Sequence, residues 1–387
     1  MRYFDHNATT PLAPAARAAW LEASDRHWHN ASSLYREAGL TAQALEAARE
    51  ELADRLGAEP ERLIFTGGAT ESNNTVFAGL ARCLPPDAVI ALSAVEHPSV
   101  REAACAWLGR HRVRFLSVDA EGVVQPETLQ ACLHEHRPAL VSVMAANNES
   151  GALQPWPQLA ELCRAHGVRY HCDAAQWLGK QPAAGLGKCD YLTGSAHKFG
   201  GPKGIGFLLV ADATERFPLL HGGPQEAGRR AGTENVPAIA AMVAALGAAE
   251  TAADAIGAAQ ITWRDACAAR LQQALPGLRI ISAHAPRLWN TLLIVLPRHS
   301  SLKWLTRLSQ RGFAVSTGSA CSSGREGSSV VLQALGAEPD ELRRVLRFSS
   351  GWQTSESDWQ ALTEAVLATA EDLDQGTPLP GAPALSM

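Results

Sequence analysis

Between about residue 60 and residue 210, short β-rich apolar runs alternate with helical stretches, the pattern of parallel strands covered by helices on both faces. The runs are Arg62–Thr66, Ala88–Leu92, Arg112–Val118, Ala139–Met144, Val168–Cys172, Tyr191–Thr193 and Ile205–Val210. Helices are predicted over Thr70–Arg82, Pro98–Gly109, Pro126–His136 and Pro155–His166, three with proline near the first turn, where its missing N–H costs nothing. An earlier helix, Thr41–Leu56, sets Leu45, Ala48, Leu52 and Leu56 on one stripe that should pack on the sheet. The uncharged run from Asn235 to Ala249 is 15 residues long and holds a proline and a glycine. That is short of the roughly 20 apolar residues of a membrane-spanning helix, so it reads as a buried helix. Beyond it the pattern gives a helix near 258–275, strands near 278–282 and 290–296, a helix at 301–311, a Gly/Ser-rich stretch at 316–329, a strand near 344–349 and a helix at 356–373. This is a smaller α+β region, followed by a Pro/Gly/Ala-rich tail from Gln375 to Met387.

Composition narrows the classes. A chain of 387 residues is long enough for roughly two domains. At 46% hydrophobic and 19% charged residues it can bury enough apolar surface to exclude wholesale disorder. The net charge of −5 supplies no basic field for nucleic acid or anionic lipid, so neither is expected as a partner. The N-terminus lacks the apolar stretch of a secretory signal, which makes a cytoplasmic protein the expectation. None of the 8 cysteines forms a Cys-x-x-Cys pair, and the pairs His27/His29 and His134/His136 have no cysteine or His-Glu-x-x-His frame nearby. No metal site is expected, and most cysteines read as small core residues.

Ligands of open parallel sheets sit beyond the carboxyl ends of the strands, and here those ends are polar. After Ile64-Phe65 comes Thr66-Gly67-Gly68-Ala69-Thr70, a glycine turn into a helix that reads either as a plain capped start or as a phosphate cradle. Glu96-His97-Pro98, Asn147-Asn148-Glu149, Asp173-Ala174-Ala175-Gln176 and Ser195-Ala196-His197-Lys198 follow the next strands. One such end means little; five on one sheet edge point to a site. Lys198, alone, would be a surface lysine, but with Asp173 able to face a ring nitrogen and an anion pocket nearby, the set fits pyridoxal phosphate. In the second region Cys321 lies among small residues in Ser316-Thr317-Gly318-Ser319-Ala320-Cys321-Ser322-Ser323-Gly324, where a thiol without apolar packing is a reactive candidate. The other seven cysteines lie in or beside apolar runs. Arg347 sits in a strand-like segment and reads either as a carboxylate clamp or as the partner of a surface acid.

Taken together, these segments resemble the cysteine desulfurases of the NifS/IscS type, fold-type I pyridoxal-phosphate enzymes within the class V aminotransferases. The resemblance runs from Phe4-Asp5-His6-Asn7-Ala8-Thr9-Thr10-Pro11 through Glu71-Ser72-Asn73-Asn74, Glu96-His97, Asn147-Asn148-Glu149-Ser150-Gly151, Asp173–Gln176 and Ser195–Lys198. It continues with Gly222-Gly223-Pro224-Gln225-Glu226, Arg230-Ala231-Gly232-Thr233-Glu234-Asn235 and Gly318-Ser319-Ala320-Cys321 to Arg347-Phe348-Ser349. It implies an α/β fold with a large domain, residues 14–256, built on a mainly parallel seven-stranded sheet between helices. A smaller α+β domain is implied for residues 1–13 and 257–374, carrying the cysteine loop, with 375–387 as a flexible tail.

The resemblance also implies roles. Lys198 carries the cofactor, Asp173 faces the pyridine nitrogen, Gln176 contacts the ring oxygen, and His97 stacks on the ring as an acid/base group. Thr70, Ser195 and His197 hold the phosphate, with Thr233 reaching in from the other subunit of a homodimer, and Ala69 is a further cofactor contact. Asn148 contacts the cofactor and, with Arg347, the substrate carboxylate. Cys321 takes sulfur from L-cysteine as a persulfide, leaving L-alanine, and passes it to an acceptor protein for iron–sulfur cluster or thio-product synthesis. The stretch Asn30-Ala31-Ser32-Ser33-Leu34-Tyr35 departs from the family's Asn-Pro-Ser-Ser-Leu-His, so entrance contacts differ. The alternative within the same family is a selenocysteine lyase or a C–S lyase working without a persulfide.

Overall fold

The computed structural model describes residues 1–216, 218–318 and 329–376. Strands Leu63–Thr66, Ile90–Ser93, Val113–Leu116, Leu140–Ser142, Arg169–Asp173, Tyr191–Ser195 and Gly206–Leu209 form one seven-stranded sheet. Across the sheet, Leu63–Thr66 is followed by Gly206–Leu209, Tyr191–Ser195, Arg169–Asp173, Leu140–Ser142, Ile90–Ser93 and Val113–Leu116. Gly206–Leu209 is antiparallel to both neighbours and the remaining pairs are parallel, so the sheet is mixed but mainly parallel. Alternation along the strands feeds two cores. Phe65, Phe207 and Leu209 join the layer of Leu45, Leu52 and Leu56, whereas Ile64 and Leu208 pack with Val76, Phe77 and Leu80 on the other face. The stripe predicted for the early helix is the one that is buried, although that helix begins sooner, at Arg36.

Residues Arg279–Ile280, Thr291–Val295 and Val345–Ser349 make a second, antiparallel sheet. Its core gathers Leu292, Ile294, Phe348, Trp304 and Trp359 with Phe4 from the start of the chain. Phe4 is brought there because Arg2–Tyr3 adds a parallel strand to Phe313–Ala314.

Two helical expectations are corrected. The helices predicted separately near 235–250 and 258–275 are one helix, Val236–Ala274, of 39 residues. The intervening Thr251-Ala252-Ala253-Asp254-Ala255-Ile256-Gly257 contains no proline, and its alanines carry the helix through a single tolerated glycine. The helix is long and apolar enough to cross a membrane by composition. Instead its first half joins the large core through Met242 and Leu246, and its second half joins the small core through Cys267 and Leu271. The second correction is the helix Pro14–Arg26, absent from the hydrophobic pattern because alanines dominate it, though Pro14 at its first position was a legible start signal.

The segment after the large sheet turns back on a buried ion pair. Arg49 donates to both carboxylate oxygens of Glu226 at 2.9 Å, and the Phe65 amide donates to the same carboxylate at 3.0 Å. Those bonds hold Glu226 and Ala227 in left-handed conformations, at φ 50° and 56°. Glu226→Ala removes the buried carboxylate partner of Arg49, leaving the guanidinium only the exposed Glu46 as an acid partner, and takes the acceptor from the Phe65 amide. It is expected to destabilise the fold by about 3 kcal/mol or more, read as a lowered thermal midpoint, whereas Glu161→Ala on the surface leaves the midpoint within a degree or so.

Candidate active site

Five strands end on one edge of the large sheet, at Thr66, Ser93, Ser142, Asp173 and Ser195, and the residues after them line a cavity of about 530 Å³. Asp173, the last residue of its strand, is buried and held on both oxygens. Oδ1 accepts from the Ala175 amide at 3.0 Å and Oδ2 from the Asn73 side chain at 3.0 Å. Two residues earlier on the same face lies His171, fixed by the Ser142 hydroxyl at 2.8 Å and Thr193 at 3.2 Å. Burial holds its pKa down at about 4, which makes it a neutral prop under the carboxylate.

Lys198 follows the strand ending at Ser195 by one 3-10 turn. Its ammonium donates to the carbonyls of Asn7 and Ala8, at 2.7 and 2.9 Å. The Gln176 amide nitrogen donates to the same Asn7 oxygen at 2.9 Å. The N-terminal segment therefore forms part of the cavity wall, and Asn7 anchors it through bonds to the Asn148 carbonyl, Thr291, Asn290 and Ser349.

His97 caps the helix Pro98–Leu108. Its Nδ1 accepts from the Ser99 amide at 3.1 Å. A backbone N–H can only donate, so Nδ1 carries no proton and the neutral ring holds its hydrogen on Nε2. Burial, partly offset by Asp173 and reinforced by Lys198, lowers the pKa and keeps the ring neutral at physiological pH.

At the opposite side, Gly67, Gly68, Ala69 and Thr70 lead into the helix Ala69–Cys83, whose Gly68 N-cap supplies no side-chain cap. The turn comes close to the sheet: a side chain at Gly206 would lie 2.4 Å from the Gly194 oxygen and 2.7 Å from the Gly68 Cα. Ser195, His197 and Lys203 complete this corner. The helix N-terminus, a hydroxyl and a lysine make a donor set for an anion of phosphate size.

Arg347 is almost fully buried. Its Nη1 donates to the carbonyls of Asn148 and Gly318, at 2.8 and 2.7 Å, and its Nη2 donates to Asp5 at 2.7 Å. Nε has no partner among the described residues, and Nη2 keeps a second hydrogen. These two nitrogens are the adjacent pair that a carboxylate accepts side-on. Arg347 thus pairs with an acid and also lines the cavity, so elements of both earlier readings are present.

Of the residues singled out from the sequence, Ala69, Thr70, His97, Asn148, Asp173, Gln176, Ser195, His197, Lys198 and Arg347 share this cavity. Thr233 is exposed and is not among the cavity's lining residues. Cys321 lies outside the described residues. Among the described cysteines Cys132, Cys163, Cys172, Cys189 and Cys267 are buried, in line with the expectation that most are core residues, whereas Cys83, at a helix end, is exposed and Cys105 only partly buried. Burial pushes Cys163 up to about 12 and Cys267 to about 11, so neither offers a thiolate. Among the described residues no cluster of metal-ligating side chains occurs.

Several residues of the site had no role assigned from sequence. Asn7 and Ala8 act through carbonyls, which no side-chain pattern reveals. Asn73 braces Asp173. Glu96 is buried in the wall with Oε1 accepting from the Met144 amide; burial first, then Asp173, pushes its pKa well up. Glu149, also buried, accepts from the Ser329 hydroxyl at 2.6 Å and is likewise raised.

A primary amine, a carboxylate opposite a cavity, an amide, a neutral imidazole and an anion corner together match the groups of pyridoxal phosphate: aldehyde, ring nitrogen, ring oxygen, ring face and phosphate. The comparisons point the same way. The aminotransferase class-V family profile matches residues 2–362. A cysteine desulfurase of Klebsiella pneumoniae is 39% identical, with 92% of this chain and 89% of that protein aligned. The cysteine desulfurase IscS of Dictyoglomus turgidum is 35% identical over 92% of this chain and 91% of its own length. Among solved structures, a NifS-like protein superposes with a TM-score of 0.86 at 30% identity, covering 96% of this chain and 100% of that one.

His6, His171 and His197 each sit near 4 in the folded chain against 6.5 for the free side chain, desolvation being the largest cause. Between those values the unfolded chain binds more protons than the folded one. Stability of the cofactor-free protein is therefore whole above about 6.5 and lost as pH falls toward 4. Urea midpoints measured across that window are expected to decline, and to decline less steeply in His171→Asn.

Proposed function

This chain belongs to the class-V aminotransferase family, and we propose that it works there as a pyridoxal-phosphate-dependent cysteine desulfurase that takes sulfur from L-cysteine and hands it to an acceptor protein. The observation that carries the reading is the convergence of Lys198, Asp173, Gln176 and His97 on one cavity, with an anion corner on one side and the Arg347 fork on the other. When bound, the cofactor supplies an electron sink that labilises bonds at the substrate's α-carbon.

The chain's residues prepare that site. Lys198 is the amine for attachment and, once free, the base for the α-proton. Asp173, fixed by Asn73 and Ala175, supplies negative charge opposite a ring nitrogen. His97, neutral with its hydrogen on Nε2, can donate a hydrogen bond from that nitrogen in its resting state. The Arg347 fork and Asn148 orient the substrate carboxylate, and that fixed pose is worth more than the bond energy alone because it removes translational freedom before reaction. Cys321 serves as the nucleophile that accepts sulfur as a persulfide, with the electron pair of the broken C–S bond left on the carbon side.

A homodimer completes the phosphate corner in this reading. Thr233 is exposed in its own subunit, and Trp28, Leu34, Tyr35 and Leu40 present exposed apolar surface that a second copy would cover.

Cys321→Ala is expected to retain the visible absorbance of the bound cofactor while alanine formation from L-cysteine drops about a thousandfold. Mass spectrometry of the unmodified protein after exposure to L-cysteine should find added sulfur on the peptide holding Cys321. Full turnover without that thiol would instead identify a lyase that acts without a persulfide.

A further inference from the structure

Lys180 is a buried lysine behind the wall of the cavity rather than in its lining, and nothing in the reaction above uses it. Its ammonium donates to three oxygens: the Gln176 side-chain Oε1 at 3.1 Å, the Gln176 carbonyl at 3.2 Å and the Lys198 carbonyl at 3.4 Å. Among the described residues it forms no ion pair. Its backbone is held as firmly. The Trp289 indole N–H donates to the Lys180 carbonyl at 3.1 Å, and a side chain at the preceding Gly179 would overlap Phe199 at 2.4 Å. A lysine with its charge on neutral carbonyls and out of water is costly to keep, and a packing role would be served by methionine.

The placement has two physical consequences. An ammonium can only donate, so the Gln176 atom facing it must be the oxygen. That fixes the amide with its nitrogen toward Asn7 and the cavity, the orientation needed to donate to a ligand oxygen. The Asn7 oxygen that receives the amide also receives Lys198, so one chain of hydrogen bonds joins the two lysines: Lys180 to Gln176, Gln176 to Asn7, and Lys198 to Asn7. The second consequence is electrostatic: a positive charge one residue's carbonyl away from Lys198 disfavours protonation of whatever nitrogen Lys198 carries.

We propose that Lys180 is a positioning residue of the cofactor site, setting the Gln176 amide and lowering the proton affinity of the Lys198 nitrogen. The inference rests on the reading of Lys198 as the cofactor-bearing residue. Burial, with Lys198 next, brings Lys180 itself down to about 7, so its charge is in place on the acid side of neutrality. The other titratable groups that feel it are His6 and His197, both held near 4 and therefore neutral there.

The test is a spectrophotometric pH titration of the full chain loaded with pyridoxal phosphate, comparing the unmodified protein with Lys180→Met and Lys180→Gln. Both variants remove the charge, and Lys180→Gln keeps an amide donor toward Gln176. The midpoint of the visible band is expected to rise by on the order of one pH unit in both. Cofactor affinity is expected to fall severalfold in Lys180→Met and to recover partly in Lys180→Gln. A midpoint unmoved by more than about 0.2 unit in variants that bind the cofactor would overturn the proposal, and so would failure of both variants to fold, which would make Lys180 a stability residue. Loss of the visible band in Lys198→Ala is the separate control: if the band persists there, the reading of Lys198 fails rather than that of Lys180.

Discussion

The carbonyl oxygen of Asn7 receives two hydrogen bonds, from the Lys198 ammonium at 2.7 Å and from the Gln176 amide at 2.9 Å. Much else in the molecule serves to bring that oxygen to the edge of the large sheet. The N-terminal strand pairs beside Phe313, Phe4 sinks into the small core, and the Asn7 side chain spans to Asn148 on one side and Thr291 on the other. An ammonium removed from water needs acceptors in compensation, and backbone carbonyls provide them without the strength of a carboxylate. Such a lysine is held in place yet can exchange its bonds for a ligand.

The same burial that makes those bonds necessary sorts the charges around them. Desolvation disfavours every ionised group, and its effect depends on sign. The histidines His97, His171 and His197 become neutral, and the carboxyls of Glu96 and Glu149 are pushed toward the protonated form. Asp173 is braced by two N–H donors. Arg347, Lys203 and Lys198 add cationic side chains to the wall. The result is a cavity with anion-seeking corners and one acid facing across it, a field suited to a ligand with a phosphate, a basic ring nitrogen and a carboxylate-bearing partner.

Most of the site could be read from the chain because it consists of side chains placed immediately after strands. The period of the strands fixes where they end, and the parallel topology puts those ends on one edge. Asp173, Ser195 and Lys198 were legible for that reason, as was the mainly parallel sheet itself. Residues acting through the backbone or through another side chain left no such mark. Asn7 works by its carbonyl, Asn73 by bracing a neighbour 100 positions away, and Lys180 by a bond to the side chain of Gln176. The exposed Cys83 shows the same blindness in reverse, since an apolar run says nothing of which side of a helix end faces out.

By itself the sequence determined the layered α/β architecture, the polar strand ends and the donor types of a pyridoxal-phosphate site, because these depend on local periodicity and on the residues next to it. Only the tertiary structure decided that one helix of 39 residues enters both cores, that Arg347 is half engaged by Asp5, and that Lys180 stands behind Gln176 and Lys198. Those outcomes depend on which distant groups compete for the same buried space. Burial cost and hydrogen-bond satisfaction are settled among all of them at once, after the chain has folded.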